Sequence, residues 1–159
     1  MSLIKNIQDM DGYYEGDFYS TLFEADMIVT LEDKTYINYA EKCIDNFNSI
    51  PDSTIKFILE KCIDFFKDMY EQYSDDYDED CSPENLTADN VLGDYIEGVA
   101  INIEKPQNSD ISAYQIEFAC PIDCPVCIIR NNEIVYIGED TDSSPWDNFY
   151  DAEKNYIKE

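Results

Sequence analysis

Period-two alternation at the two ends of the chain and period-3.6 stripes in its middle organise the sequence. Residues 12–31, GYYEGDFYSTLFEADMIVTL, are rich in Tyr, Phe, Thr, Ile and Val and predict two strands, with EAD as the turn between them. Next, TYINYAEKCIDNF sets Tyr36, Ala40, Cys43 and Phe47 at steps of four, three and four, which is one helical face, and leaves Lys42 and Asp45 off it. A longer stripe follows: Ile55, Leu59, Cys62, Phe66, Met69 and Tyr73, preceded by Pro51 and Asp52, residues suited to a helix start. The pattern predicts two antiparallel helices, at about 36–48 and 52–74, each with one buried face.

The periodicity then breaks. SDDYDEDCSPEN, residues 74–85, holds six carboxylates and one Pro and reads as a solvated acidic loop. TADNVLGDYI predicts one short helical turn. The region from about 97 to 138 is β. EGVAINIEK alternates Val99, Ile101 and Ile103 inward against Ala100, Asn102 and Glu104. AYQIEFAC alternates Tyr114, Ile116, Phe118 and Cys120 against Gln115 and Glu117, and PVCIIR-NN-EIVYIG is a hairpin around an Asn-Asn turn.

Clean alternation in two strands implies one wet face, and such sheets are antiparallel with helices gathered on the other face. The order ββ-αα-βββ therefore predicts a single α+β domain over residues 1–159. Its antiparallel sheet has one largely solvated face, and its two antiparallel helices pack on the other. A length of 159 residues suits one domain with a real core, and 13 Tyr with 8 Phe separate the chain from acidic disordered sequences.

Charge narrows the partners. Ten basic residues face 36 acidic ones, a net of −26, and Arg130 is the single Arg. Such a surface repels nucleic acid and anionic membranes and attracts basic proteins. No apolar run is long enough to span a membrane, and MSLIKNIQDM is too short and too polar for a secretory signal, so the expected location is the cytoplasm.

The chain has no His, which closes Ser–His and Cys–His activation of a nucleophile and every His-containing zinc site. The sequence therefore predicts neither an enzyme nor a cofactor. The motif CPIDCPVC spaces Cys120, Cys124 and Cys127 as C-x₃-C-x₂-C, the spacing of a radical SAM cluster. That chemistry needs a larger barrel-like domain with the motif early in the chain and a glycine-rich segment beside it, and these are lacking. A four-thiolate zinc site would take Cys81 as its fourth ligand. A cross-hairpin disulfide would join Cys120 to Cys127 but needs an oxidising compartment. The reading favoured is reduced, structural thiols, with Cys120 continuing the inward face of its strand and Cys43 and Cys62 in the helical stripes.

Asp76, Asp78 and Asp80 alternate like the start of an EF-hand loop, but the positions that need Gly and Glu hold Cys81 and Thr87. Trp146, the single Trp, reads as packed under a loop rather than as an exposed interface anchor.

The sequence of elements carrying YYEG, YAEKCIDNF, MYEQY, AYQIEFAC and NNEIVYIGEDTDSSPWD resembles, over residues 12 to 148, a group of small acidic bacterial domains of unknown function. Such domains are found among candidate immunity proteins of toxin systems. The resemblance implies a cytoplasmic protein that binds and neutralises a toxin partner, and it brings no functional residue with it. CPIDCPVC departs from the group's pattern.

Together these readings predict a non-enzymatic protein-binding domain, of immunity type, that neutralises a basic partner or toxin. The candidate recognition residues are Asp75, Asp76, Asp78, Glu79, Asp80 and Glu84. One alternative is a metal-binding domain built on Cys120, Cys124 and Cys127. Another is a housekeeping domain whose acidity serves solubility.

Overall fold

The computed structural model describes residues 3–122, 124–140, 144–149 and 155–158. Seven strands lie side by side in chain order: β1 (Lys5–Asp9), β2 (Tyr14–Ser20), β3 (Ala25–Leu31), β4 (Gly98–Ile103), β5 (Ala113–Ala119), β6 (Pro125–Arg130) and β7 (Glu133–Glu139). Between β3 and β4 the chain forms α1 (Ile37–Asn48) and α2 (Asp52–Gln72), three 3-10 turns and one helical turn at Val91–Asp94. The α+β class follows. No helix among the described residues is long and apolar enough to cross a membrane.

Every neighbouring pair of strands is antiparallel except β3–β4, which is parallel from Ile28↔Ala100 to Leu31↔Ile103. The expectation of an antiparallel sheet fails at this one joint. A short hairpin forces the chain to run back, but residues 32–97 form a crossover long enough to return it in either direction. β1 was not anticipated. KNIQD lacks alternation because its register shifts between Lys5 and Gln8, with Asn6 at φ 56°. The turn between β2 and β3 is residues 21–24, ending at Glu24 with φ 53°, so EAD belongs mostly to β3. The Asn-Asn turn is as expected: Asn131 and Asn132 have φ 52° and 71°, the left-handed pair that a two-residue hairpin needs.

One face of the sheet carries Phe18, Met27, Val29, Leu31, Ile101, Ile103, Tyr114, Ile116, Phe118, Cys127, Ile129 and Ile137, all buried in one cluster with both helices. α1 contributes Tyr39, Ala40, Cys43, Ile44 and Phe47, and α2 contributes Ile58, Leu59, Cys62, Ile63, Phe65, Phe66 and Met69. These stripes are wider than a strict four-three repeat, as a helix lying on a sheet requires. Two stripe positions change. Tyr36 is half-buried in the 3-10 turn before α1, and Tyr73, 40 % exposed, lies just past the end of α2. Phe47 is a junction: its ring meets Phe18 at 6.2 Å, Phe23 at 5.7 Å and Tyr114 at 6.3 Å.

The second face is solvated over only half its width. Tyr19 and Ile28 are exposed there on β2 and β3. On β6 and β7, Val126, Ile128 and Tyr136 are buried in a separate small cluster with Phe149. Residues 144–149 cover this half, held by Arg130. Its guanidinium donates to the Pro145 carbonyl from Nε (3.2 Å) and Nη2 (2.6 Å), and from Nη2 to the Asp147 carbonyl (2.7 Å). The alternation in β6 is masked for this reason: PVCII is buried throughout. At the outer side of β7, Asn155 stands where another strand would pair, accepting from Ile137 N–H (3.2 Å) and donating to the Val135 carbonyl (2.9 Å).

Because Phe47 joins β2, the turn after it, α1 and β5, its removal should cost more than an ordinary side-chain deletion. Phe47→Ala is expected to lower unfolding free energy by about 3–5 kcal/mol, read from urea denaturation. A loss under about 1.5 kcal/mol would place the main packing contact elsewhere.

Candidate functional site

The acidic segment is built on the end of α2. Its backbone closes two 3-10 turns, Ser74–Asp76 and Glu79–Cys81, with Asp76 N–H donating to the Tyr73 carbonyl (2.9 Å) and Cys81 N–H to the Asp78 carbonyl (2.9 Å). Asp75, Asp76, Asp78, Glu79, Asp80 and Glu84 are all exposed. Between them the segment is anchored. Tyr77 stacks on Tyr70 of α2 with ring centroids 6.5 Å apart and planes 14° apart. Cys81 is half-buried against the core and Pro83 is buried. The Tyr95 hydroxyl donates to the Cys81 carbonyl (2.9 Å), and its ring packs on Phe66 at 4.7 Å.

The expectation of a simply solvated loop is therefore corrected. The carboxylates face water, but Tyr77, Cys81 and Pro83 fix the backbone that carries them. The signal was present in the sequence, since an isolated Tyr, Cys and Pro among carboxylates are the residues with something to bury. Asp76, Asp78 and Asp80 lie across the two turns rather than in one cation-binding loop.

The cysteines divide by depth. Cys43, Cys62 and Cys127 are fully buried, while Cys81, Cys120 and Cys124 are half-buried, and no disulfide links the six. Cys120 lies one residue past the end of β5 at Ala119, half-buried and packed against the same core as Tyr114, Ile116 and Phe118. It opens a tight turn in which its N–H donates to Cys124 Sγ at 3.2 Å. Cys127 pairs in register with Ile116, which removes the cross-hairpin geometry for a bond between Cys120 and Cys127. Among the described residues, no three Cys, Asp or Glu side chains converge in a way that could hold a metal ion. Trp146 is half-buried against the main core, and its indole N–H is buried without a partner among the described residues.

At Cys43, Cys62, Cys120 and Cys127 the surroundings favour the neutral thiol. Burial pushes Cys43 up to about 11 and Cys127 well above the usual thiol range. Burial, with the Cys127 thiol close by, does the same for Cys62. Cys120 is raised first by its hydrogen bond with Cys124 and then by burial. Reactive cysteines need the opposite, a stabilised thiolate.

A family model described as Domain of unknown function (DUF6985) matches residues 3–144, and the chain belongs to that family. Neither the curated proteins nor the solved structures include a match to it.

The buried thiols and phenols set an alkaline limit. Burial likewise raises Tyr114 above its ordinary value. Each of these groups has a folded pKa above its unfolded one, so its stabilisation is complete below the unfolded value and is lost as pH rises through the folded value. Stability should fall from about pH 8.5 upward, by about 1.4 kcal/mol per pH unit for each fully buried thiol that ionises only in the unfolded chain. Urea denaturation at a series of pH values checks it: Cys62→Ala should flatten the slope, and a flat wild-type profile would contradict the burial described.

Proposed function

We propose that this protein is a non-enzymatic binding domain that captures a basic protein partner, in its most concrete form an immunity protein that masks a toxin's cationic surface in a bacterial cytoplasm. The observation that carries the reading is the frame beneath the acidic segment. Thirty-six carboxylates against ten cations make the whole surface attractive to cations. A housekeeping domain acid only for solubility has no need to hold its densest acidic segment rigid. Here Tyr77, Pro83 and the hydrogen bond from Tyr95 fix the segment against α2. Charges fixed in advance lose less conformational entropy when a partner docks, so they contribute more to a productive encounter than the same charges on a loose tail.

Asp75, Asp76, Asp78, Glu79, Asp80 and Glu84 are the steering residues in this reading. Opposite charge speeds the encounter, and added salt screens it over a Debye length of about 8–10 Å near physiological ionic strength. The sign of the charge disfavours nucleic acid and anionic membranes as partners.

The test begins with affinity capture from the source cell at low salt, followed by binding kinetics on the protein recovered. Replacing Asp75, Asp76, Asp78 and Asp80 by Asn and Glu79 by Gln should leave the fold intact, since all five are exposed. Association should slow about fivefold and lose most of its salt dependence, while dissociation changes little. Tyr95→Phe keeps every charge but frees the Cys81 carbonyl, and should slow association by about twofold. If no basic protein is retained, or the neutralised segment binds as fast as wild type, the segment is not the recognition element.

A further inference from the structure

We propose that the groove where β3 and β4 part is a docking slot for an extended, basic segment of a partner protein, one that alternates Lys or Arg with aliphatic residues. The proposal rests on the protein-binding reading and names a second contact for it, apart from the acidic segment.

The slot arises from the parallel joint. β3 begins at Ala25 and β4 at Gly98, yet their ladder starts only at Ile28↔Ala100. Below that point the strands bound a groove of about 500 Å³. Its lining combines two chemistries. Phe23, Leu92 and Val99, all half-buried, supply apolar surface, and Ile28, 42 % exposed, adds an aliphatic side chain on the open face. Asp26 and Glu97 are exposed and Glu117 is half-buried, so three carboxylates line the same groove, and among the described residues no Lys or Arg lines it with them.

An apolar trough with unneutralised carboxylates is complementary to a particular ligand. The methylene stems of Lys and Arg pack on aliphatic surface while their charged ends reach carboxylates. An extended peptide sends alternate side chains to opposite sides, so an alternating sequence can present cations to the carboxylates and aliphatic residues to the trough together. A purely polar polycation would leave the apolar lining wet, and an acidic peptide would be repelled.

The groove also shares an anchor with the acidic segment. Tyr95, which holds the Cys81 carbonyl, is the neighbour in sequence of Ile96, and Ile96 N–H donates to the Val91 carbonyl (2.8 Å). The short stretch Val91–Ile96 therefore holds the acidic segment on one side and lines the groove on the other.

The experiment uses the full chain and three labelled octapeptides: alternating Lys and Val, alternating Glu and Val, and all Lys. Amide NMR shifts map the site, and titration gives affinity. The Lys-Val peptide should shift Met27, Ile28, Gly98 and Ala100 and bind at least about tenfold more tightly than either control. Asp26→Asn with Glu97→Gln, both at exposed positions, should weaken it about tenfold, whereas the five-residue neutralisation of the acidic segment should change it by less than about twofold. Adding Glu117→Gln should weaken it further, and a thermal melt confirms that each variant is folded. All-Lys binding as tight as Lys-Val, shifts centred on residues 74–85, or no shift at the groove would overturn the proposal. The same variants are then tried on the captured partner. Unchanged binding to the groove variant, with loss in the acidic-segment variant, overturns the slot and leaves the capture reading standing. If wild type captures no basic protein, the capture reading fails, and the peptide titration still decides the slot.

Discussion

A chain with 26 net negative charges folds only if none of its carboxylates has to enter the core, and that constraint shapes most of what this molecule does. Among the described residues the buried polar side chains are Ser20, Ser112, Gln115 and Asn155, all of them neutral. An unpaired carboxylate in their place would cost far more than one hydrogen bond returns. The apolar stripes must therefore be continuous wherever an element touches the core, which is why α1, α2, β4 and β5 can be read from periodicity. The acidic residues are displaced to the helix backs, outward strand positions and the segment after α2. The single Arg, half-buried, spends its donors on backbone carbonyls of the segment covering the second face.

What the sequence made legible was local. The two helices, the inward faces of β4 and β5 and the Asn-Asn turn each depend on residues a few positions apart, so spacing alone reveals them. What it hid was the meeting of distant residues. Nothing near Arg130 announces that it clamps Pro145, and nothing in PVCII says that its outward residues will be covered by Phe149. A buried strand loses its alternation for that reason. The parallel joint was hidden too, because its direction is set by how the crossover packs rather than by either strand's composition. Strand β1 was hidden by its own irregularity.

The candidate site was legible in its charge and illegible in its rigidity. Carboxylate density can be counted along the chain, whereas the support beneath it comes from Tyr70 on a helix and Tyr95 further along, residues whose convergence no spacing rule encodes. The cysteine motif shows the reverse. Its spacing invited a metal or a disulfide, but the spacing arises from a strand end, a turn and a strand start, so Cys127 is buried while Cys120 and Cys124 stay half-buried.

The joint between β3 and β4 also divides the sheet by the order in which it can assemble. β1 to β3 are linked by short turns, and β4 to β7 by connections no longer than residues 104–112, so each set forms from contacts between near neighbours in the chain. Uniting them requires closing the excursion through residues 32–97, whose loop entropy is met only once both helices have condensed onto the sheet. The domain is in this sense two meanders stitched at a four-pair seam, the one strand pairing that only the long excursion through the helices brings together.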